Sequence, residues 1–266
     1  HLHDAMPSVG RKFLLAGKGG LNLTHSEPRP AFVQRYGARA AAVAPWLDAF
    51  GADAMRAWAA GLGIETFIGT SGRVFPTDLK AAPLLRAWLH RLRERGVVFH
   101  MRHRWLGFAG NNSALRFDTP QGEAIVRPSA TVLALGGASW PQLGSNGVWV
   151  SWLREAGAEV VPLVPANCGF EVAWSDHLRQ RFAGAPIKPV LLRFGDAFER
   201  RGEFVLSDYG IEGSLVYAAS AFIRDAIAAR GPAAITLDLL PDHDAGRVLR
   251  EVAHPRGSRS LGSHLK

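Results

Sequence analysis

Between residues 131 and 147 an apolar run, Thr131-Val132-Leu133-Ala134-Leu135, enters Gly136-Gly137, continues through Ala138-Ser139-Trp140-Pro141, and reaches a second cluster at Gly144-Ser145-Asn146-Gly147. A hydrophobic strand that ends in a glycine turn ahead of a helix is the junction of an α/β layer. There a ligand's phosphates or ribose sit at the strand's carboxyl end, near a helix N-terminus. The pattern predicts a buried parallel strand over 131–135 and a helix from about 147 to 155. The residues before it alternate in the same manner. Two helical patterns lie around Pro45 within 31–61, with Phe50, Met55 and Trp58 as expected buried positions. An amphipathic helix is expected over 80–95, with Leu85, Trp88, Leu89 and Leu92 on its apolar face and Gly96 as its stop. Short strands at 97–100 and 123–127 flank a hairpin of 105–109 and 114–118 that turns at Asn111-Asn112.

After about Pro162 the pattern changes to short strands at 168–174, 190–194 and 203–207, a helix over 215–229 and a strand at 234–239. Two domains are therefore expected: an α/β domain over 1–162 and a mixed α+β domain over 163–266. A chain of 266 residues that is 47% hydrophobic and 20% charged is neither disordered nor membrane-like. Cys168 is the single cysteine, which excludes an internal disulfide and any cysteine-clustered zinc or iron–sulfur site. No apolar run approaches the length of a spanning helix, and residues 1–20 lack the apolar stretch of a secretory signal, so a cytoplasmic protein is expected. The net charge of +8 would ordinarily suggest nucleic acid. It comes from 26 arginines and 5 lysines, and half of the densest basic run, 86–104, falls on the polar side of an amphipathic helix. A solvated face explains that run, and nucleic acid is not expected as a partner.

The densest polar constellation is Gly17-Lys18-Gly19-Gly20 with Asn22, Thr24 and His25. Glycines let backbone amides approach an anion or a flat ring, and Asn and Thr add side-chain hydrogen bonds. The spacing is not that of a Walker loop, because Lys18 precedes the glycine pair. Taken alone, the segment fits a cofactor loop and a flexible turn equally. Asp4, after a short strand and shortly before Gly10-Arg11-Lys12, has the context of a carboxylate that accepts ribose hydroxyls. Arg73 reads as a structural loop residue. His100 and His103 have no metal-ligand partners at suggestive spacing, so no metal site is expected. No residue qualifies as a catalytic acid or base.

The stretch from Arg11 to His25, Arg-Lys-Phe-Leu-Leu-Ala-Gly-Lys-Gly-Gly-Leu-Asn-Leu-Thr-His, resembles a motif of the YhiN/BaiN-type flavoproteins. So do Gly72-Arg73-Val74-Phe75-Pro76, the Leu133–Pro141 segment, Pro165-Ala166-Asn167-Cys168-Gly169-Phe170, and Gly210-Ile211-Glu212-Gly213 with Ser220, all in matching order. The resemblance implies a Rossmann-like, three-layer ββα FAD-binding domain interrupted by an inserted domain with a β-barrel-like part and helices. It implies that Asp4 takes the adenosine ribose and that Gly10, Arg11 and Lys12 line the dinucleotide. Gly17, Gly19, Gly20, Asn22 and Thr24 would lie along the flavin, with Lys18 or Asn22 stabilising charge on the reduced ring. Gly136 and Gly137 would form the second cofactor-contacting turn, and the strand leading to Trp105 would offer backbone contacts to adenine. The implied activity is hydride transfer from NAD(P)H through FAD to an organic small molecule. An RNA-associated flavoprotein and a non-catalytic remnant are the alternatives. The family's opening G-x-G-x-x-G turn and its closing glycine-rich segment are both missing from this sequence, so a fragment is expected, with weak or no FAD binding on its own.

Overall fold

The computed structural model describes residues 1–16 and 19–264. They form two compact units, His1–Pro162 and Leu163–Lys266.

In the first unit β1 (Leu2–Asp4) leads through a loop to α1 (Arg11–Ala16) and β2 (Thr24–His25). The helices α2 (Arg29–Gln34), α3 (Ala40–Ala49) and α4 (Ala52–Ala60) follow, then β3 (Thr66–Ile68), β4 (Arg73–Pro76) and α5 (Ala81–Glu94). The strands β5 (Phe99–Met101), β6 (Arg104–Ala109), β7 (Ala114–Thr119) and β8 (Gly122–Val126) precede α6 (Trp149–Glu155). β1 and β5 pair in parallel, with His3 opposite His100 and Asp4 opposite Met101. β2, β4 and β3 form one antiparallel sheet, and β6, β7 and β8 form another as a meander.

The face of α5 that is buried comprises Ala81, Leu84 and Leu85, at the helical spacing of three to four residues. Leu84 is fully enclosed and packs with Leu21 in a cluster joined by Phe13, Leu23 and Trp58. Arg91 and Arg93 lie in the last turn, where cations complement the helix dipole, and Gly96 (φ +77°) ends it. The meander alternates inward residues, Trp105 on β6 and Leu115 and Phe117 on β7, against Trp149, Trp152 and Leu153 of α6.

Three sequence expectations fail in this unit. Residues 131–135 form no strand, and Val132 is 92% exposed. A strand exists through its pairing, and among the described residues none lies beside this run; only Leu135 finds the core. Pro45 does not separate two helices but sits inside α3. The break comes instead at Phe50-Gly51, where a Cβ on Gly51 would stand 2.6 Å from the Leu47 carbonyl oxygen. Phe50, expected to be buried, lies just past the end of α3 and is 48% exposed.

The second unit contains β9 (Phe170–Glu171), α7 (Asp176–Phe182), β10 (Pro186–Phe194), β11 (Phe198–Ser207) and β12 (Gly210–Glu212). α8 (Ser214–Arg230), β13 (Thr236–Asp238), α9 (Ala245–Ala253) and α10 (Leu261–His264) follow. Its five strands form one antiparallel sheet in the order β13-β10-β11-β12-β9. Val190, Leu192, Phe204 and Ile211 meet Leu215, Val216, Ala219 and Ile223 of α8 in its core. The buried Ser220 hydroxyl is shared between the carbonyls of Ala166 (2.6 Å) and Tyr217 (2.8 Å), tying the segment before β9 to α8. The strands expected at 168–174 and 234–239 shorten to their central residues, because only those have a paired neighbour.

Candidate cofactor-binding site

The site grows from the carboxyl end of β1. Asp4 is half-buried there, and its Oδ1 accepts a hydrogen bond from the Met6 amide at 2.8 Å, an Asx turn that fixes the carboxylate. The Asp4 carbonyl accepts from the His103 amide (2.9 Å), and the Met6 carbonyl from the Arg102 amide (3.1 Å). No hydrogen bond to the second carboxylate oxygen exists among the described residues. Gly10 then starts α1, its carbonyl accepting from the Leu14 amide. Gly10 has φ +75°, and a Cβ there would lie 2.6 Å from a Leu85 methyl, so the turn needs both glycine's backbone freedom and its lack of a side chain. Arg11 and Lys12 are exposed at the start of α1.

The second glycine cluster comes to the same place. Lys12 Nζ donates to Ser139 Oγ at 3.0 Å, and Met6 packs on Gly144, whose Cβ position is 3.3 Å from the Met6 sulfur. Within the turn, buried Ser145 donates from Oγ to the Gly137 carbonyl at 2.9 Å, and Trp140 and Ser145 form a two-residue bridge. Gly136 (φ +69°) lies over Ser145, with its Cβ position 3.1 Å from Oγ. The turn is thereby pinned from one side, while the space beside Gly137 is open to 4 Å.

Gly17 and Lys18 lie outside the described residues. Gly19 opens onto free space, Gly20 (φ +113°) lies over Phe75, and Asn22 is exposed. Thr24 is in β2 opposite Val74. These residues connect to α1 through packing of Phe13 with Leu21, and no hydrogen bond among the described residues joins them to Asp4 or Gly137. The Trp105 side chain is buried in the meander, edge-on to Trp152 at 5.1 Å, which leaves only its backbone for a ligand. Arg73 is exposed on β4 opposite His25.

Sequence spacing hides one group altogether. The parallel register stacks His3 on His100 (4.4 Å between ring centroids), and Phe117 of β7 stacks on His3 as well (4.3 Å). His3 Nδ1 lies 3.3 Å from His103 Nδ1, and His1 Nδ1 lies 2.8 Å from His100 Nε2. Burial, then the neighbouring His100 and His103, pull the His3 imidazole down to about 4. Burial followed by His103 also lowers His100. The only available signal was the pair of short spacings, His1-x-His3 and His100-x-x-His103, which acquires meaning once β1 is known to pair with β5.

The family model of the HI0933-like protein Rossmann domain matches residues 1–254. The 3-dehydro-bile acid delta(4,6)-reductase of Clostridium scindens is 27% identical over 256 residues, covering 91% of this chain and 58% of that protein. The chain thus spans less than two thirds of the curated relative it matches. A match over nearly the whole chain shows that the chain belongs to the HI0933-like flavoprotein family and carries its Rossmann-like fold.

Proposed function

We propose that this chain holds FAD along α1 and the Gly136–Gly147 turn and serves a flavin-dependent oxidoreductase that reduces an organic small molecule with electrons from NAD(P)H. The observation that carries the reading is the Lys12–Ser139 hydrogen bond, which joins the start of α1, just after Gly10, to the Gly136–Gly147 turn. The residues present fit the cofactor. Asp4 offers an oxygen to ribose hydroxyls, and Gly10 with the cations Arg11 and Lys12 suits the anionic linker. The open faces at Gly19 and Gly137 leave room for a flat ring, and the Asn22 amide and Thr24 hydroxyl can orient it. Gly136 and the buried Ser145 hold the second turn rigid, so the backbone reaches the ligand already shaped. Bound FAD supplies the two-electron chemistry, and the chain binds, orients and shields it.

The relative's name describes a reductase acting on a 3-dehydro-bile acid. By similarity, an apolar ring compound is the class of acceptor to try first. Among the described residues no helix is long and apolar enough to cross a membrane. A cytoplasmic setting and the 1–162 and 163–266 division into cofactor and inserted domains belong to the same proposal.

Titration of the chain with FAD, followed by flavin fluorescence and by displacement with ADP, tests the reading. Weak but saturable binding that ADP competes and that Asp4→Asn weakens further is the expected result. A melting temperature and a flavin signal that ignore both ligands up to millimolar concentration would overturn it.

A further inference from the structure

The histidines at the β1–β5 pair are not used by the flavin reading. Three of them, His3, His100 and His103, each bring one ring nitrogen to within 4.8 Å of the other two. All three rings are half-buried, and Phe117 closes the cluster on one side. No carboxylate is hydrogen-bonded to any of the three rings among the described residues.

Two nitrogens facing one another need one proton between them, since one must donate and the other accept. A cation that takes both lone pairs satisfies the same pair without that proton. The separation is informative. Two ligands about 2.0–2.1 Å from a tetrahedral ion stand about 3.3–3.4 Å apart. The His3 Nδ1 to His103 Nδ1 distance is 3.3 Å. The His100 ring is stacked on His3 at 10° between planes, and a turn out of that stack brings the third nitrogen in from its wider position, with the exposed His1 ring on its outer side.

We propose that His3, His100 and His103 form a three-histidine site for a borderline divalent transition metal, Zn2+ foremost, with the fourth position left to water. Three neutral imidazoles suit such an ion and not Mg2+ or Ca2+, which take oxygen ligands. The ion clamps β1 to β5 and to the turn before β6. It thereby fixes the strand that ends on Asp4, independently of whether FAD binds there.

The test is calorimetric titration of Zn2+ into the chelator-stripped chain. One equivalent should bind and raise the melting temperature, and His103→Ala should weaken that binding at least about tenfold. His177→Ala, on the exposed face of α7, should leave it unchanged. Should His103→Ala fail to fold, ring-nitrogen NMR of the unaltered chain decides, because Zn2+ must move the His3 and His103 resonances. Replacement by Co2+ should produce the visible bands of a low-coordinate ion. The proposal fails if the stripped chain takes up no Zn2+, if His103→Ala binds it equally well, or if the His3 and His103 resonances ignore the ion.

Discussion

Gly10 shows how narrowly single residues set the site. Its positive φ and the Leu85 methyls at its missing Cβ act together, so Gly10→Ala adds backbone strain to a steric conflict on a flexible side chain. The expected cost is about 1–3 kcal/mol, read as a lower midpoint in urea with an unchanged slope. Cys168 is a second residue with a definite expectation. Burial pushes its thiol up, more than the Arg224 guanidinium draws it down. A raised thiol yields less thiolate at any given pH, so iodoacetamide should label Cys168 several-fold more slowly than free cysteine at neutral pH, and unfolding should abolish the difference. At this scale the sequence was uneven. Asp4, Gly10 and Gly136 were legible as turn residues, because each belongs to a local turn whose geometry follows from neighbouring residue types. His3 was not, because its partners lie about a hundred positions away and only the β1–β5 register joins them.

Elements were legible where their own residues supply both the pattern and the partner. The β6–β7–β8 meander is local, with each strand pairing the next, and its expected bounds differ from the observed ones by only a residue. α5 was recognised from helical spacing, and of the expected Leu85-Trp88-Leu89-Leu92 stripe Leu85 is buried, yet the buried face extends back to Leu84 and Ala81 rather than forward to Trp88. Spacing identifies a stripe but not which part of it a neighbour covers. Leu21 and Phe13 cover the first half, and Trp88 is left 36% exposed against the edge of Trp58. The two halves should therefore respond differently to truncation. Leu84→Ala leaves a cavity in an enclosed position and should cost about 2–5 kcal/mol. Trp88→Ala should cost less, since part of its ring already faces water, and paired urea melts would show the order. The run 131–135 is the reverse case: strand propensity is present, but no partner among the described residues pairs with it.

At the scale of the whole molecule several arginines are held in local ion pairs. Arg116–Glu123, Arg193–Glu199, Arg201–Asp242 and Arg247–Glu251 each join exposed partners on separate elements or helix turns. Pairs of this kind contribute little stability and are screened by salt. The chain's other large-scale feature is its division. The compact units meet in sequence at Pro162-Leu163, and residues 158–167 contain no helix or strand. Val161, Leu163 and Val164 are exposed there at 64%, 47% and 61%. A protease needs several residues of unpaired, extended backbone, and thermolysin cleaves ahead of such apolar side chains. Each unit has its own core, around Leu84 and Phe117 in the first and around Val190 and Val216 in the second. Brief thermolysin treatment should therefore cut first between 160 and 164 and leave two fragments that resist further digestion. Mass spectrometry of the products would identify the bond. A first cut within α5 or α8, or simultaneous loss of both fragments, would show that the cores do not hold independently.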